Sequence, residues 1–300
     1  MNPHEERLYK AFHNPPAAMR DNVRAELDRQ LKQRQEALTS RFDEQRASRL
    51  RSEPLIRKIF QEPPELGLTA PQKLALPTPP IQIPRPEKSW LKHGSVFIME
   101  VPPFDVAYAR GSVTGGGFSN PQADTEGQLV VEVDCQGPGP SGTAASFAAV
   151  AMNYSPPGPS CTQAVTSGMM TASTSVSFTW IWEAGSKLWA AGVVDFVIGL
   201  QVQAYDIDGN LIGVIGNQMV QIVSENYEDF LSQSRRSDSG TLSLSTQCHV
   251  SNLYNYSILV TAFADASAWG GSTGPDFFES FALGLLEVDV PFISISINYP

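Results

Sequence analysis

The chain has 300 residues, of which 42% are hydrophobic, so it can bury a large core and is not a disordered protein. Its formal net charge of −10 is unevenly distributed: residues 1–70 contain 13 of the 21 Lys and Arg residues but 11 of the 31 Asp and Glu residues, which leaves 8 cations against 20 anions in residues 71–300. Because so few cations cannot neutralise many phosphates, this composition excludes nucleic acid as a partner of the second part.

The first residues contain no apolar stretch of the length of a Sec signal, which predicts synthesis in the cytoplasm and leaves export by a non-Sec route open. No run approaches the roughly 18 apolar residues of a spanning helix, so a membrane location is not expected. Cys135, Cys161 and Cys248 form an odd set without a Cys-x-x-Cys spacing, which argues against a disulfide framework and structural zinc. A Cys135–Cys161 bond and three buried thiols remain open alternatives.

Residues 1–65 are predicted to form a helical arm. Asn14 before Pro15 and Pro16 is typical of a helix start, because Asn caps the first turn and Pro is tolerated where amide donors have no intrahelical partner. Apolar residues then recur at spacings of four and seven between charged ones: Met19, Val23, Leu27, Leu31, Leu38 and Phe42. This pattern predicts a long helix with one narrow apolar stripe. A further start signal at Ser52 to Pro54 predicts a turn and a short second helix.

A helix with so narrow a stripe must bury it against something. One interpretation is that the arm assembles the protein, by self-association or by docking on a protein scaffold, through Leu27, Leu31, Leu38 and Phe42. The other is that the arm packs on the chain's own body, and the sequence leaves both open.

Residues 66–92 are rich in proline, which interrupts helices and central strands, so they are predicted to form an extended linker. Residues 93–300 are low in charge and alternate polar with apolar residues in short runs between Gly, Pro, Ser and Asn, a pattern typical of an antiparallel β-sandwich of the jelly-roll or immunoglobulin-like kind. The predicted strands are 96–101, 104–113, 128–135, 145–153, 169–182, 193–205, 211–223, 241–249, 256–267 and 281–297.

Three short segments give local predictions. Asp206 to Asn210 resembles the beginning of a calcium loop, but Asn217 stands where the terminal acid is needed, so the Asp208-Gly209 pair favours a hairpin turn. Residues 232–239 carry two arginines among serines without an apolar anchor, which predicts a mobile surface loop. Pro291 predicts a bulge or an edge position within the last strand.

The candidate ligand-binding residues are aromatic. Trp180 and Trp182 share a strand face and Glu183 follows them, a combination that could stack a sugar ring and bind its hydroxyl groups. Their alternative role is the core, because aromatic residues two positions apart on an amphipathic strand usually face it. Trp269 lies in a glycine-rich loop and is the stronger prediction for a surface contact with a ligand, for which a glycan is the leading class.

No catalytic, cofactor-binding or metal-binding motif is present, so no catalytic residue, cofactor or metal is predicted. His249 follows Cys248 in a predicted strand, and their side chains are expected on opposite faces. The leading hypothesis is a non-catalytic structural or recognition subunit. A pore-forming protein is an alternative because residues 166–179 and 241–247 alternate Ser and Thr with other residues. A glycan hydrolase is a third possibility, because two carboxylates on separate strands can converge in space without a sequence signature.

Overall fold

A computed structural model describes residues 17–59, 74–76, 95–135, 142–156, 167–188, 190–268 and 279–298. The chain is mainly β, in two antiparallel sheets with one helix before them, as predicted. In these residues the elements are α1 Ala17–Ile59, β1 Ser95–Glu100, β2 Val106–Thr114, β3 Gly117–Ser119, β4 Gln122–Ala123, β5 Gln128–Cys135, β6 Gly142–Tyr154, β7 Ser167–Lys187, β8 Gly192–Tyr205, β9 Leu211–Tyr227, β10 Leu231–Ser251, β11 Asn255–Ala268, β12 Glu279–Asp289 and β13 Ile293–Asn298.

The two sheets differ in size and connectivity. Sheet A has eight strands in the order β1-β13-β7-β12-β5-β3, with β10 also paired to β7 and β4 to β5. Sheet B has five strands in the order β2-β6-β11-β8-β9. The core lies between the sheets, because alternate residues of each strand point inward and are buried there.

β10 corrects one sequence prediction. Residues 232–239, predicted as a mobile loop, form the first part of this strand and pair with residues 179–186 of β7. Side-chain contacts stabilise the pairing, because Gln233 and Arg235 both bind the carboxylate of Glu183. Local composition could not predict this strand, since its partner lies about fifty residues earlier in the chain.

The last predicted strand is divided at Pro291. β12 ends at Asp289 and β13 begins at Ile293, so Pro291 lies between two strands and does not form a bulge within one. Proline has no amide donor for the ladder, which accounts for the break. The Asp206 to Asn210 segment is a hairpin turn, as predicted: Gly209 has φ 87°, and the amide of Asp206 donates to the Asn210 carbonyl at 2.9 Å.

α1 is one continuous helix of 43 residues. The predicted turn near Ser52 is therefore wrong, because Pro54 lies inside the helix. A proline there removes one backbone hydrogen bond, but Pro54 is exposed, so water can bind the carbonyl that loses its donor. The Asn14 start signal lies outside the described residues.

Residues 74–76 are the described part of the predicted linker. Leu74 is buried on the outer face of sheet A against Ile181, Phe281 and Leu283. At this point, the linker segment contributes to a small apolar cluster on the body.

Candidate functional site

The first half of α1 lies on the outer face of sheet B. All six residues of the predicted stripe are buried, with 0 to 8% of their surface exposed. Leu27 and Leu31 join a cluster that includes Phe147 and Phe263 of the sheet. The four predicted assembly residues are thus already buried within one chain, the arrangement of the second interpretation, and their role in assembly remains a prediction.

Two arginines of α1 bind a pair of sheet carboxylates. Asp195 of β8 and Asp265 of β11 are cross-strand neighbours, and both are buried. Arg34 forms an ion pair with Asp265 and stacks over Phe263 at 4.7 Å, while Arg41 lies 3.8 Å from Asp195. Burial raises the pKa of Asp265, Arg34 lowers it and the charge of Asp195 raises it further, with the net shift upward.

This carboxylate pair is the convergence that sequence could not reveal, because its members are 70 residues apart. In a hydrolase such a pair must be open to substrate. Here the helix covers it and supplies the compensating charges, so the arrangement joins α1 to sheet B.

Further polar contacts fix the position of the helix along the sheet. The side-chain amide of Asn22 donates to the Gly209 carbonyl at 2.6 Å, and Tyr108 and Arg110 of β2 both bind Asp28. Near the other end, the Gln35 amide donates to the Thr143 hydroxyl at 2.5 Å. The helix therefore runs from the 206–210 hairpin to the end of the sandwich where β6 begins.

The second half of α1 extends past that end. Gln35 already lies level with the second residue of β6, and residues 43–59 continue for about 25 Å at the rise of an α-helix. Of the side chains described between 43 and 59, none is buried. Leu55 and Ile59 are 64% and 73% exposed. We call this segment the projecting end. It begins with Asp43 and Glu44, and residues 46–58 after them are basic, with five cationic residues and one acid.

A groove of about 690 Å³ lies beside the helix where it leaves the sheet. Its wall is formed by one face of the helix and the last residue of β2: Gln35, Glu36, Thr39, Ser40, Asp43, Glu44, Ala47 and Thr114. The floor is fixed by a chain of hydrogen bonds from Gln35 to the Thr143 hydroxyl and from there to that of Thr114 at 2.8 Å. Gln35 is 7% exposed, and its Oε1 has no hydrogen-bond partner in the structure as described.

Trp180 and Trp182 both point inward from β7, at the open side of the sandwich between β9 and β10. Trp182 is 1% exposed and belongs to the core, and Arg236 lies 5.8 Å above its ring while binding Glu225 of β9 at 3.5 Å. Trp180 is partly exposed and faces Asp238 across the β7–β10 ladder.

Phe178 extends this aromatic row by one position. It lies opposite Gly240, where an added Cβ would come within 2.9 Å of the ring. Phe178 is partly exposed, because the glycine carries no side chain to cover it. We call Phe178, Trp180, Asp238 and Gly240 the aromatic edge. Asp238 and Gly240 lie on β10, and Asp238 is within residues 232–239, which were predicted to form a mobile loop.

Glu183 is on the opposite face of β7. It is buried on the outer side of sheet A, where Gln233 donates to it at 2.5 Å and Arg235 at 3.4 Å. One ligand therefore cannot contact Glu183 together with Trp180, and the structure does not bring the three predicted residues into one site. The alternation of strand residues already implied this separation.

The remaining predicted residues have separate environments. Trp269 lies outside the described residues; Ala268 before it ends β11 at the side of the sandwich from which α1 projects. Cys135 and Cys248 are free buried thiols, and burial raises the pKa of Cys248 to about 11. Cys248 is buried and His249 exposed, on opposite faces as expected.

No group of three or more His, Cys, Asp or Glu residues in the described parts of the chain could hold a metal ion. No helix that the structure describes is long and apolar enough to cross a membrane.

No protein-family model and no curated protein sequence matches this chain. Solved structures that resemble it include the carbohydrate-binding module TmCBM61 in complex with β-1,4-galactotriose, at 11% identity over 64% of this chain and 88% of that one, with a TM-score of 0.14. A lipoprotein of Bacteroides thetaiotaomicron is 9% identical over 76% of this chain and 99% of its own, with a TM-score of 0.25.

A CocE/NonD family hydrolase of Staphylococcus aureus is 7% identical over 54% of this chain and has a TM-score of 0.21; the match spans about a third (33%) of the hydrolase. At these identities and TM-scores, the likenesses assign no function to the chain.

Proposed function

We propose that this protein is a non-catalytic structural or recognition subunit, and that the projecting end of α1 is the element by which it assembles with copies of itself or docks on a protein scaffold. The observation that carries the proposal is the contrast within one helix. Residues 19–31 contribute to an apolar cluster on sheet B and Arg34 pairs with Asp265, while Leu55 and Ile59 are 64% and 73% exposed on the projecting end. Exposed apolar residues on a helix fixed at its other half are suited to a protein contact.

The same geometry supports a non-catalytic role. The converging carboxylates Asp195 and Asp265 are covered by α1 and bound by Arg34 and Arg41. Their contribution is to hold the rod at a fixed angle on the body.

The test uses the full chain, because deleting the arm would expose the sheet face that residues 19–42 cover. The paired substitution L55D/I59D places charges on the projecting end without touching the core. We expect light scattering coupled to size-exclusion chromatography to show an assembled wild type and a monomeric variant, or capture of a scaffold protein that the variant loses.

The matched control is Ile207→Asp, which changes an 80% exposed residue at the opposite end of the sandwich and should leave assembly intact. Assembly that survives L55D/I59D unchanged would contradict the proposal.

A second function, glycan binding, is supported by the aromatic edge. Trp180 is partly exposed, and the Asp238 carboxylate across the ladder from it can accept hydrogen bonds from sugar hydroxyl groups. Trp269 remains a proposed contact of the same class from the loop after β11.

Glycan binding is tested by titrating the full chain with a panel of oligosaccharides. We expect Trp180→Ala to weaken binding by about two- to tenfold, since an aromatic stacking contact is worth about 0.5–1.5 kcal/mol. Phe118→Ala is the control, because Phe118 is a 51% exposed aromatic residue of β3, far from β10 in the order of sheet A. Equal loss in both variants would contradict a role for the aromatic edge.

A further inference from the structure

The groove beside α1 and the projecting end have complementary properties. The groove side of the helix carries Glu36, Asp43 and Glu44, and it holds the buried Gln35 whose Oε1 has no hydrogen-bond partner among the described residues. The projecting end carries exposed Arg51 and Lys58 together with the apolar side chains of Leu55 and Ile59. The described wall of the groove is therefore acidic and contains a buried hydrogen-bond acceptor, whereas the projecting end is cationic and partly apolar.

The projecting end cannot fill the groove of its own chain, because both belong to the same continuous helix. A second copy can supply it. Glu44, Ala47, Arg51, Leu55 and Lys58 follow one another at spacings of three and four, so they form a single stripe along the helix. Ala47 is small, which permits a close approach of two helices at that point.

We propose that two copies of the chain pair through their α1 helices in antiparallel orientation, with Leu55 and Ile59 of each copy seated in the groove of the other. This inference rests on the proposed assembly role of the projecting end and names its occupant. If the two helices cross between Ala47 and Arg51, Glu44 of each copy faces the segment from Arg51 to Lys58 of the other helix. A two-fold axis makes every contact occur twice, as in most homodimers.

Charge reversal in the full chain tests the pairing. The dissociation constant is measured by light scattering and sedimentation for the wild type, Glu44→Arg, Arg51→Glu and the double variant E44R/R51E. Each single change should weaken the dimer by about tenfold or more, because it places like charges together. The double variant exchanges the two charges, and its affinity should return to within about threefold of the wild type. Arg24→Glu, an exposed charge reversal on the docked half, should have no effect.

The outcomes separate this inference from the proposed function. A wild type that stays monomeric at about 100 μM, well above the dissociation constants of specific homodimers, overturns the pairing and leaves docking on a scaffold in place. A dimer that L55D/I59D disrupts but that neither charge reversal weakens also overturns it, because the projecting end then binds elsewhere. A dimer that resists all of these changes overturns the pairing and the proposed function together.

Discussion

The two halves of α1 have similar compositions and opposite environments. Both are rich in charged residues with scattered apolar ones, but Leu27 is 1% exposed on sheet B and Leu55 is 64% exposed beyond the sandwich. The difference comes from where the sheet ends, since Gln35 already binds the second residue of β6 and little strand remains beneath the following turns. Helical pattern alone therefore predicts that a face exists, and the length of the neighbouring sheet determines which part of that face is buried.

The largest difference in stability should appear when a leucine is truncated to alanine in each half of the helix. Leu27→Ala is expected to lower the free energy of unfolding by about 3 kcal/mol, because it leaves a cavity in the helix–sheet cluster. Leu55→Ala should change it by less than about 0.5 kcal/mol. Urea unfolding followed by circular dichroism measures both, and equal losses would show that the two halves are not distinct.

The ion pair that anchors the docked half gives the next effect. Arg34→Met should destabilise the fold by about 2 kcal/mol at pH 7, less than a fully buried pair because the Arg34 side chain is 29% exposed. Lys32→Met is the control, since Lys32 lies 3.9 Å from Glu36 in an exposed pair of little energetic value.

The pH dependence of Arg34→Met sharpens the same point. The pKa of Asp265 is already raised in the folded chain, so protonation of this carboxyl stabilises the fold. That contribution to stability is complete below the unfolded pKa, near 4, and is lost as pH rises through the folded pKa. Removing Arg34 raises that pKa further. The stability deficit of the variant should therefore shrink as pH falls from 7 towards 5, and a deficit independent of pH would argue against an ionised Asp265.

The smallest effect on global stability is expected at Pro54. Pro54→Ala restores a backbone hydrogen bond in the projecting end, and the local helix preference for Ala over Pro is about 3 kcal/mol. Global unfolding should change by less than about 0.5 kcal/mol, because this segment lies outside the core. Hydrogen exchange should show slower exchange around residues 50–59 alone, and slower exchange in residues 19–42 as well would mean that the halves are coupled.

Local periodicity in the sequence predicted the parts of the fold that depend on side-chain direction. The stripe from Met19 to Phe42 and the inward row of β7 were predictable, because side-chain direction repeats every 3.6 or two residues. It could not choose between burial within the chain and burial against a partner, since periodicity identifies a face and not what covers it. The strand at residues 232–239 was missed because β7, which pairs with it, is distant in sequence.

The candidate site shows the same limit. The common strand face of Trp180 and Trp182 followed from the alternation of side chains. Asp238 and Gly240, which complete the aromatic edge, could be placed only once the β7–β10 register was known. The groove likewise required Thr114 of β2 to meet a helix about seventy residues earlier in the chain.

The contact between Arg34 and Asp265 also has a consequence for biosynthesis. The two residues are 231 positions apart, so the helix leaves the ribosome long before β11 exists. At about 5–20 residues per second, the apolar stripe waits roughly 10–50 s for the sheet that will cover it. During that interval, Met19 to Phe42 are not yet covered by the completed sheet, and exposed apolar surface of this kind makes a nascent chain prone to aggregation, so shielding of the stripe by a chaperone would favour productive folding.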